Sequence, residues 1–373
     1  MFGAFQEFYS TTLIPTKSNS TISWIGSLGA FLLCTSSMLT GPLFDVGFGR
    51  PLVYAGSLFV VVGLMMTSLC STFWQLILAQ GVCIGIGAGA LFIVSVAVLP
   101  GYFAKQRALA IGVAASGSSL GGVIYPIIFH RLQPRIGFGW ATRVIGFIAL
   151  ATLLFACVFI KPRSKPDPSK RRKIIDISGF RELPFNLFCV ASLTGFCGLY
   201  IPFFYISEFA SRAGFPGRLA FYMLPILSAG SIVGRIVPGL LADRFGPLNV
   251  LAICTAISGL LAFCWIAISR SIAGLIIWAL LYGCFSGAFV SLQPASIISI
   301  TKDLSYAGGR LGTNTFFAAL GLLIGTPVAG AIIGQAESWT GMRAFCGAML
   351  LVSAVLVLST RVAKTGFVLM RKA

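Results

Sequence analysis

The sequence predicts an all-α, polytopic membrane protein made of two similar helical halves. Hydrophobic residues occupy 57% of the 373 positions and charged residues only 10%, whereas soluble domains carry roughly 25% charged residues. Eleven apolar stretches are each long enough to cross a bilayer, which takes about 20 helical residues. The pattern G-x-L-x-D begins at Gly41 and again at Gly239, 198 residues later. A repeat of this length indicates two related bundles.

The apolar stretches give the predicted helices in chain order. They lie at residues 21–41, 51–70, 75–98, 108–129, 141–160, 185–207, 219–241, 249–268, 272–294, 310–333 and 342–360. Five stretches precede the central loop and six follow it. If the two halves have equal numbers of helices, one helix is missing at the front, and about 11 of 12 helices are present. We expect an N-terminal bundle at 1–160 with a truncated first helix, a cytoplasmic linker at 161–184 and a C-terminal bundle at 185–373.

Basic residues are divided unequally between the two sets of predicted loops. One set, which includes the linker and the C-terminus, holds 18 Lys and Arg, and the opposite set holds six. Because cytoplasmic loops carry the basic excess, we expect a cytoplasmic C-terminus, with the plasma membrane as the location. The same rule explains the net charge of +18 without a nucleic-acid partner.

Two loop segments carry further predictions. Proline and charge in residues 161–173 predict a solvated tether, with contact to anionic lipid headgroups as the alternative. On the predicted outer side, Asn19 begins an N-x-[ST] pattern, a glycosylation acceptor.

The two G-x-L-x-D loops are expected to form a conformational latch. Glycine lets helix ends approach closely, and a carboxylate there can pair with a base or a helix N-terminus. Such a contact holds one conformation and breaks in another; a plain turn with a capping Asp is the alternative. The latch residues are Gly41, Asp45, Gly239, Asp243, Arg244, Lys105 and Arg107.

Glycines four residues apart recur within the predicted helices. Gly230 with Gly234 and Gly283 with Gly287 are two such pairs. Small residues at this spacing let helix backbones touch in lipid. The pattern predicts tight helix packing and carries no information on substrate.

Residues 102–117, YFAKQRALAIGVAASG, form the most specific local motif. They resemble Y-F-x-K-[RK]-R-x-L-A-x-G-x-A-x-x-G, the pattern before the fifth helix in the monocarboxylate-transporter family of the major facilitator superfamily. Only Gln106 departs from it, where a base is usual. Residues 117–126 and 137–140 look like the fungal branch. The resemblance covers nearly the whole chain and implies a two-bundle transporter.

The resemblance also bears on the missing first helix. Residues 3–9 are similar to the final turns of that family's first helix. We therefore expect an incomplete gene model or a fragment.

Arg235 is the strongest candidate for substrate binding. An ionisable residue within a membrane helix usually faces a cavity or a partner. The family places an arginine four residues before the loop glycine, as Arg235 precedes Gly239. The resemblance implies that it binds the substrate carboxylate, which suits a planar guanidinium. The alternative is an arginine paired with helix-end carbonyls near the inner face.

The family's partner of this arginine is an aspartate one turn earlier, where this chain has Ser231. The replacement argues against proton coupling through that position. Glu7 and Glu208 are alternative protonatable groups.

The remaining candidates for the substrate site are polar or aromatic residues of the predicted helices. For each of them, an interhelical hydrogen bond or ordinary packing is the alternative. They are Ser231, Tyr125, Asn314, Phe285, Phe289 and Tyr205.

We therefore expect a secondary transporter, not an enzyme, that moves a monocarboxylate or related organic anion by alternating access. Symport with protons, a lipid environment and a monomeric state belong to this expectation. The sequence contains no ATP-binding loop, metal-ligand spacing or cofactor motif. The alternatives are a transporter or efflux pump for a larger fungal solute, such as riboflavin or a secondary metabolite, and a truncated remnant that does not transport.

Overall fold

The regular elements of the structure are helices, as predicted. The computed structural model describes residues 2–99, 102, 107–160, 177–268, 271–301, 307–336 and 339–366. Ten segments of this part of the chain are long and apolar enough to cross a membrane. The α-helices are α1 (Phe2–Phe8), α2 (Asn19–Leu43), α3 (Gly49–Thr67), α4 (Phe73–Leu76), α5 (Ile84–Val98), α6 (Arg107–Phe159), α7 (Leu183–Leu199), α8 (Ile201–Arg212), α9 (Gly217–Phe245), α10 (Pro247–Ile268), α11 (Ile272–Ile300), α12 (Ala307–Ala336) and α13 (Trp339–Thr365).

Helix α6 contains two membrane passes. Its apolar segment Gly112–Phe159 has 48 residues, about 72 Å of helix at 1.5 Å per residue, whereas a bilayer core is about 30 Å thick. Gly137 interrupts it with φ 79° and ψ 169°. The rings of Phe129 and Phe138 lie 6.1 Å apart, although nine residues of straight helix rise about 13.5 Å. The chain turns back at Gly137, so the ten segments provide eleven passes.

Local chemistry sets several other boundaries. Ser18 caps α2, its Oγ accepting a hydrogen bond from the backbone N of Thr21 at 3.2 Å. Gly47, with φ 107°, separates α2 from α3, and Gly246, with φ 91°, ends α9. Both glycines adopt a left-handed conformation that other residues avoid. The predicted stretch 185–207 is divided at Tyr200 into α7 and α8.

Buried apolar side chains form three clusters. The largest draws on the C-terminal half, defined here as residues 177–366, and includes Trp265 and Trp278. Among its buried members in the described part of the chain, Ala4 alone belongs to the N-terminal half, residues 2–160, and Phe2 and Ile127 of that half pack against the cluster. The second cluster is built from residues 5–149 and the third from Phe44, Val53 and Val94. Most apolar burial therefore occurs within each half.

The described part of the C-terminal half begins with a 3-10 turn at Ile177–Arg181, and α7 follows from Leu183. The linker bounds 161–184 stay a prediction, because residues 161–176 lie outside the described residues. Arg310, at the start of the predicted stretch 310–333, lies in α12 with its side chain 5% exposed. It pairs with Glu182 through Nη2 to Oε1 at 2.7 Å and Nη1 to Oε2 at 3.2 Å. A buried guanidinium needs such a partner, and hydropathy alone does not reveal the pair.

We expect Arg310→Met to lower the unfolding free energy of the purified protein by about 3 kcal/mol, since it leaves a partly buried carboxylate without its partner. The double variant Arg310→Met with Glu182→Leu should recover much of that loss. Thermal unfolding in detergent measures both. Arg244→Met, at an exposed arginine, is the control. Wild-type stability of the single Arg310 variant would contradict the prediction.

Candidate functional site

A cavity of about 240 Å³ lies between the two halves of the molecule. The N-terminal half contributes Phe2 and hydroxyls of α6, and the C-terminal half contributes side chains of α9 and α12 together with Tyr200. A site shared by two repeated helical bundles can open alternately to either side of a membrane.

Small residues bring α6 and α9 together beside this cavity. A Cβ atom built on Gly122 would lie 2.9 Å from Ser228 Oγ, and one on Gly112 would lie 3.1 Å from the carbonyl oxygen of Arg235. Both distances are shorter than ordinary van der Waals contact. The glycines therefore allow the backbone approach that carries Arg235 to the other half.

Arg235 reaches from α9 across the cavity wall to α6. Its Nη1 donates to the carbonyl oxygen of Ala115 at 2.9 Å and to Ser118 Oγ at 2.7 Å. Its Nε donates to Ser231 Oγ at 3.4 Å. All three acceptors are neutral. The predicted alternative, pairing with helix-end carbonyls, differs from this arrangement because Ala115 lies in the interior of a helix.

The environment of Arg235 favours an anionic ligand. A cation within a membrane helix is expensive, and neutral acceptors compensate it only in part. The described bonds use Nη1 and Nε and leave the two N–H groups of Nη2 available. A carboxylate in the cavity would supply the missing negative charge through a charge-assisted hydrogen bond.

Aromatic rings and hydroxyls complete the lining. The rings are Phe2, Tyr200, Phe203 and Phe204, and the hydroxyls are Ser118, Ser119, Ser228 and Thr326. The Phe2 and Phe204 rings lie 4.9 Å apart across the interface between the halves. The site therefore offers an apolar surface beside a cation, which suits a solute with a ring system and an acidic group.

Sequence reasoning missed most of these lining residues as substrate contacts. Ser118 and Ser119 follow Gly117 directly, and adjacent hydroxyls within an apolar helix were the available signal. No pattern in the sequence marks Phe2 or Thr326, because each joins the cavity through contacts between distant parts of the chain.

The structure places the other predicted substrate residues around or away from the cavity. Ser231 is buried beside Arg235 and accepts from Ser119 Oγ at 3.3 Å. Tyr205 is fully buried, with its hydroxyl donating to the carbonyl oxygen of Thr326 at 3.0 Å. Asn314 Nδ2 donates to Gln293 Oε1 at 3.2 Å within the C-terminal half. These hydrogen bonds match the stated alternative, interhelical packing.

The three remaining candidates pack against the apolar clusters. Phe289 is fully buried, with its ring 5.2 Å from Phe196. Phe285 is half-buried against the C-terminal cluster, and Tyr125 is half-buried against the second cluster. The lining of the cavity thus includes Arg235 from the predicted set, with Ser231 next to it.

The predicted latch is described only in part. Lys105 lies outside the described residues, as do the side chains of Asp45 and Arg107. Gly41 is buried near Ile93 of its own half. Asp243 and Arg244 are exposed, and a Cβ on Gly239 would meet nothing within 4 Å. The latch therefore stays a prediction.

Hydrogen bonds join the halves at the predicted outer end, where α2 begins and α8 ends. Asn19 Nδ2 donates to Glu208 Oε1 at 2.7 Å, and Ser20 Oγ donates to the carbonyl oxygen of Pro327 at 2.8 Å. Ser211 Oγ donates to Glu7 Oε1 at 3.1 Å. The amide of Asn19, the group that a glycan would modify, is engaged in this interface, and glycosylation at Asn19 stays a prediction.

Comparisons with known proteins are consistent with this geometry. The family described as Major Facilitator Superfamily matches residues 2–271 and 226–371. An MFS-type transporter of Emericella nidulans, dbaD, is 44% identical over 359 residues, which cover 95% of this chain and 80% of the relative.

Two other relatives carry names that state a cargo. The aspyridones efflux protein apdF of Emericella nidulans is 35% identical, over 96% of this chain and 73% of its own length. The agnestins efflux protein AgnL12 of Paecilomyces divaricatus is 36% identical, and the match covers 98% of this chain and 84% of that relative. All these relatives are named as transporters or efflux proteins, not as enzymes.

The fold also matches a solved structure. That structure, the human organic anion transporter MFSD10 (TETRAN), has a TM-score of 0.68 and 17% identity. The match covers 98% of this chain and 89% of the other.

Proposed function

Because the chain belongs to the Major Facilitator Superfamily, we propose that this multi-pass membrane transporter exports an organic anion with an aromatic or apolar body. The observation that carries the proposal is Arg235, a cation with neutral hydrogen-bond partners that lines a cavity between the two halves. The aromatic rings of the same cavity support a solute larger than a simple acid.

Relatives support export of a secondary metabolite. Two of them are named as efflux proteins, for aspyridones and for agnestins. The larger-solute alternative from the sequence is therefore preferred over a small monocarboxylate. The cavity of about 240 Å³ is smaller than the roughly 300–1,000 Å³ of most small-molecule pockets, so a solute of that size requires the cavity to widen.

A small monocarboxylate is the second candidate. The present volume of the cavity favours it, as does the resemblance of residues 102–117 to the monocarboxylate-transporter motif. Symport through the family's aspartate is not proposed, because Ser231 occupies that position.

Alternating access between an N-terminal bundle (1–160) and a C-terminal bundle (185–373) is part of the proposal. The G-x-L-x-D loops would hold one of the conformations. On the basis of the basic loops we place the C-terminus in the cytoplasm; a monomer in the plasma membrane is also part of the proposal.

Paired ligands test the substrate class. With the full-length protein in detergent, 2-naphthoate should raise the melting temperature, whereas the uncharged 2-naphthamide should not, because a ligand stabilises the state that it binds. Lactate tests the small-monocarboxylate candidate. Transport into liposomes, after subtraction of the uptake by protein-free liposomes, should likewise be faster for 2-naphthoate than for 2-naphthamide. Equal binding of acid and amide would contradict an anion site.

A further inference from the structure

Carboxyl groups lie at the contact that closes the predicted outer end. Glu208 of α8 accepts a hydrogen bond from Asn19 of α2, in the other half, and Glu7 of α1 accepts one from Ser211 of α8. Both contacts must break if the halves separate at this end. The protonation of either carboxyl group can therefore be linked to opening of the contact.

Glu208 is the more buried of the two, with 4% of its surface exposed. Its Oε1 accepts from Asn19 Nδ2 at 2.7 Å and from Arg212 Nη2 at 3.0 Å. Its Oε2 is buried and has no hydrogen-bond partner among the described residues. A buried carboxylate oxygen without a donor is unfavourable in the ionised form.

Other buried polar atoms without a described partner occur in the same interface. Gln6 is fully buried, and its Nε2 donates to the carbonyl oxygen of Asn19 at 3.3 Å. Its Oε1 is buried and unpartnered, as is Ser207 Oγ on the adjacent residue of α8. Two oxygens of this interface, Glu208 Oε2 and Gln6 Oε1, therefore lack a donor in the described part of the chain.

The charged groups around Glu208 have opposing effects. Arg212, one turn along α8, pairs with Oε1, but its side chain is 60% exposed, which weakens an ion pair through hydration. Glu7 on α1 is close enough to interact electrostatically with Glu208 and disfavours a second negative charge. Tyr205, one turn earlier on α8, also interacts with Glu208. On α13, Arg343 contacts this part of α8 through the ring of Phe209 at 4.9 Å.

We propose that Glu208 is a proton-binding site that controls the outer contact between the halves. In the closed contact, Oε2 carries the proton and Oε1 keeps its bonds to Asn19 and Arg212. When the contact opens, water hydrates the carboxyl group and accepts that proton, leaving a carboxylate paired with Arg212. A lower pH on that side therefore favours the closed contact.

The inference rests on alternating access, a part of the proposed function, and not on the identity of the substrate. Loss of the anion site would leave the proton site intact. The test below uses no substrate, so the two proposals can fail separately.

Distance measurements between the halves test the site. Genetically encoded nitroxide side chains at Thr11 and Ala213, both exposed at this end, leave the native cysteines in place. Double electron–electron resonance on the full chain in lipid nanodiscs gives the distance distribution. From about pH 5 to pH 8, the ratio of long to short distances should rise, by up to about tenfold per pH unit, the limit for one proton.

Variants identify the group that responds. Glu208→Gln should keep the short distance at every pH, and Glu7→Gln should keep a pH response with a changed midpoint. A wild-type distribution that does not change with pH would overturn the proposal. So would a pH response that disappears in Glu7→Gln and persists in Glu208→Gln. A response to sodium at constant pH, without a response to pH, would indicate a metal cation site and overturn it as well.

Discussion

Arg235→Gln should reduce transport of an aromatic carboxylate by about 10- to 100-fold. A hydrogen bond to a charged group contributes about 1.5–3 kcal/mol, and 1.4 kcal/mol corresponds to a factor of ten. Glutamine can still donate to Ser118 or Ala115, the present acceptors of Nη1, so the fold should be retained. Initial rates in proteoliposomes, normalised to the amount of reconstituted protein, give the comparison.

Two further variants separate charge from geometry at this site. Arg235→Lys keeps the positive charge but loses the planar guanidinium group, which can donate two parallel hydrogen bonds to a carboxylate, so it should retain intermediate activity. Ser231→Ala removes the acceptor of two long hydrogen bonds, the 3.4 Å bond from Arg235 Nε and the 3.3 Å bond from Ser119 Oγ, and should have a small effect. If Arg235→Gln transported the anion at the wild-type rate, the cavity would not be the anion site.

Gly234→Leu should prevent accumulation of folded protein. A Cβ atom at Gly234 would overlap the carbonyl oxygen of Cys284 on α11, and one at Gly287 would lie 2.8 Å from Ser231 Oγ on α9. The close neighbour of Gly234 is backbone, which cannot rotate away as a side chain can. Overpacking of a well-packed core typically lowers the free energy of unfolding by about 1–3 kcal/mol. An overlap with rigid backbone should cost an amount at or above the upper end of that range.

Gly239→Leu on the same helix is the matched control for folding, because a Cβ there meets nothing within 4 Å. Size-exclusion chromatography of detergent extracts and the melting temperature compare the two variants. Gly234→Ala should lower the yield of folded protein and the melting temperature by an intermediate amount. Wild-type yield and stability of Gly234→Leu would show that α9 and α11 do not pack as closely as described.

The sequence predicted the helices well and the site only in part. Apolar length predicted the stretch 51–70, which the structure gives as Gly49–Thr67, because crossing a bilayer requires a minimum run of apolar residues. The spacing of Gly230 and Gly234 predicted a close helix contact, and the structure gives the partner, α11. Spacing cannot name a partner, since many helices offer small residues.

Buried polar residues show the limit of sequence reasoning. Asn314 and Arg235 are both polar residues in apolar helices, but Asn314 bonds to Gln293 within its own half and Arg235 lines the cavity between halves. Periodicity places both on helices and does not say which neighbour each one faces. The Arg310–Glu182 pair was missed for the same reason, since 128 residues separate its members.

The sequence by itself determined the membrane environment, the eleven passes, the internal repeat and the arginine to examine first. The first three follow from hydropathy, length and spacing along the chain, which are local, and the choice of Arg235 also rests on the family resemblance. Only the tertiary structure decided which side chains meet at the interface of the halves: Phe2 with Phe204, Arg235 with Ser118, and Asn19 with Glu208. Those contacts join residues about 100 to 200 positions apart, and helix packing brings them together.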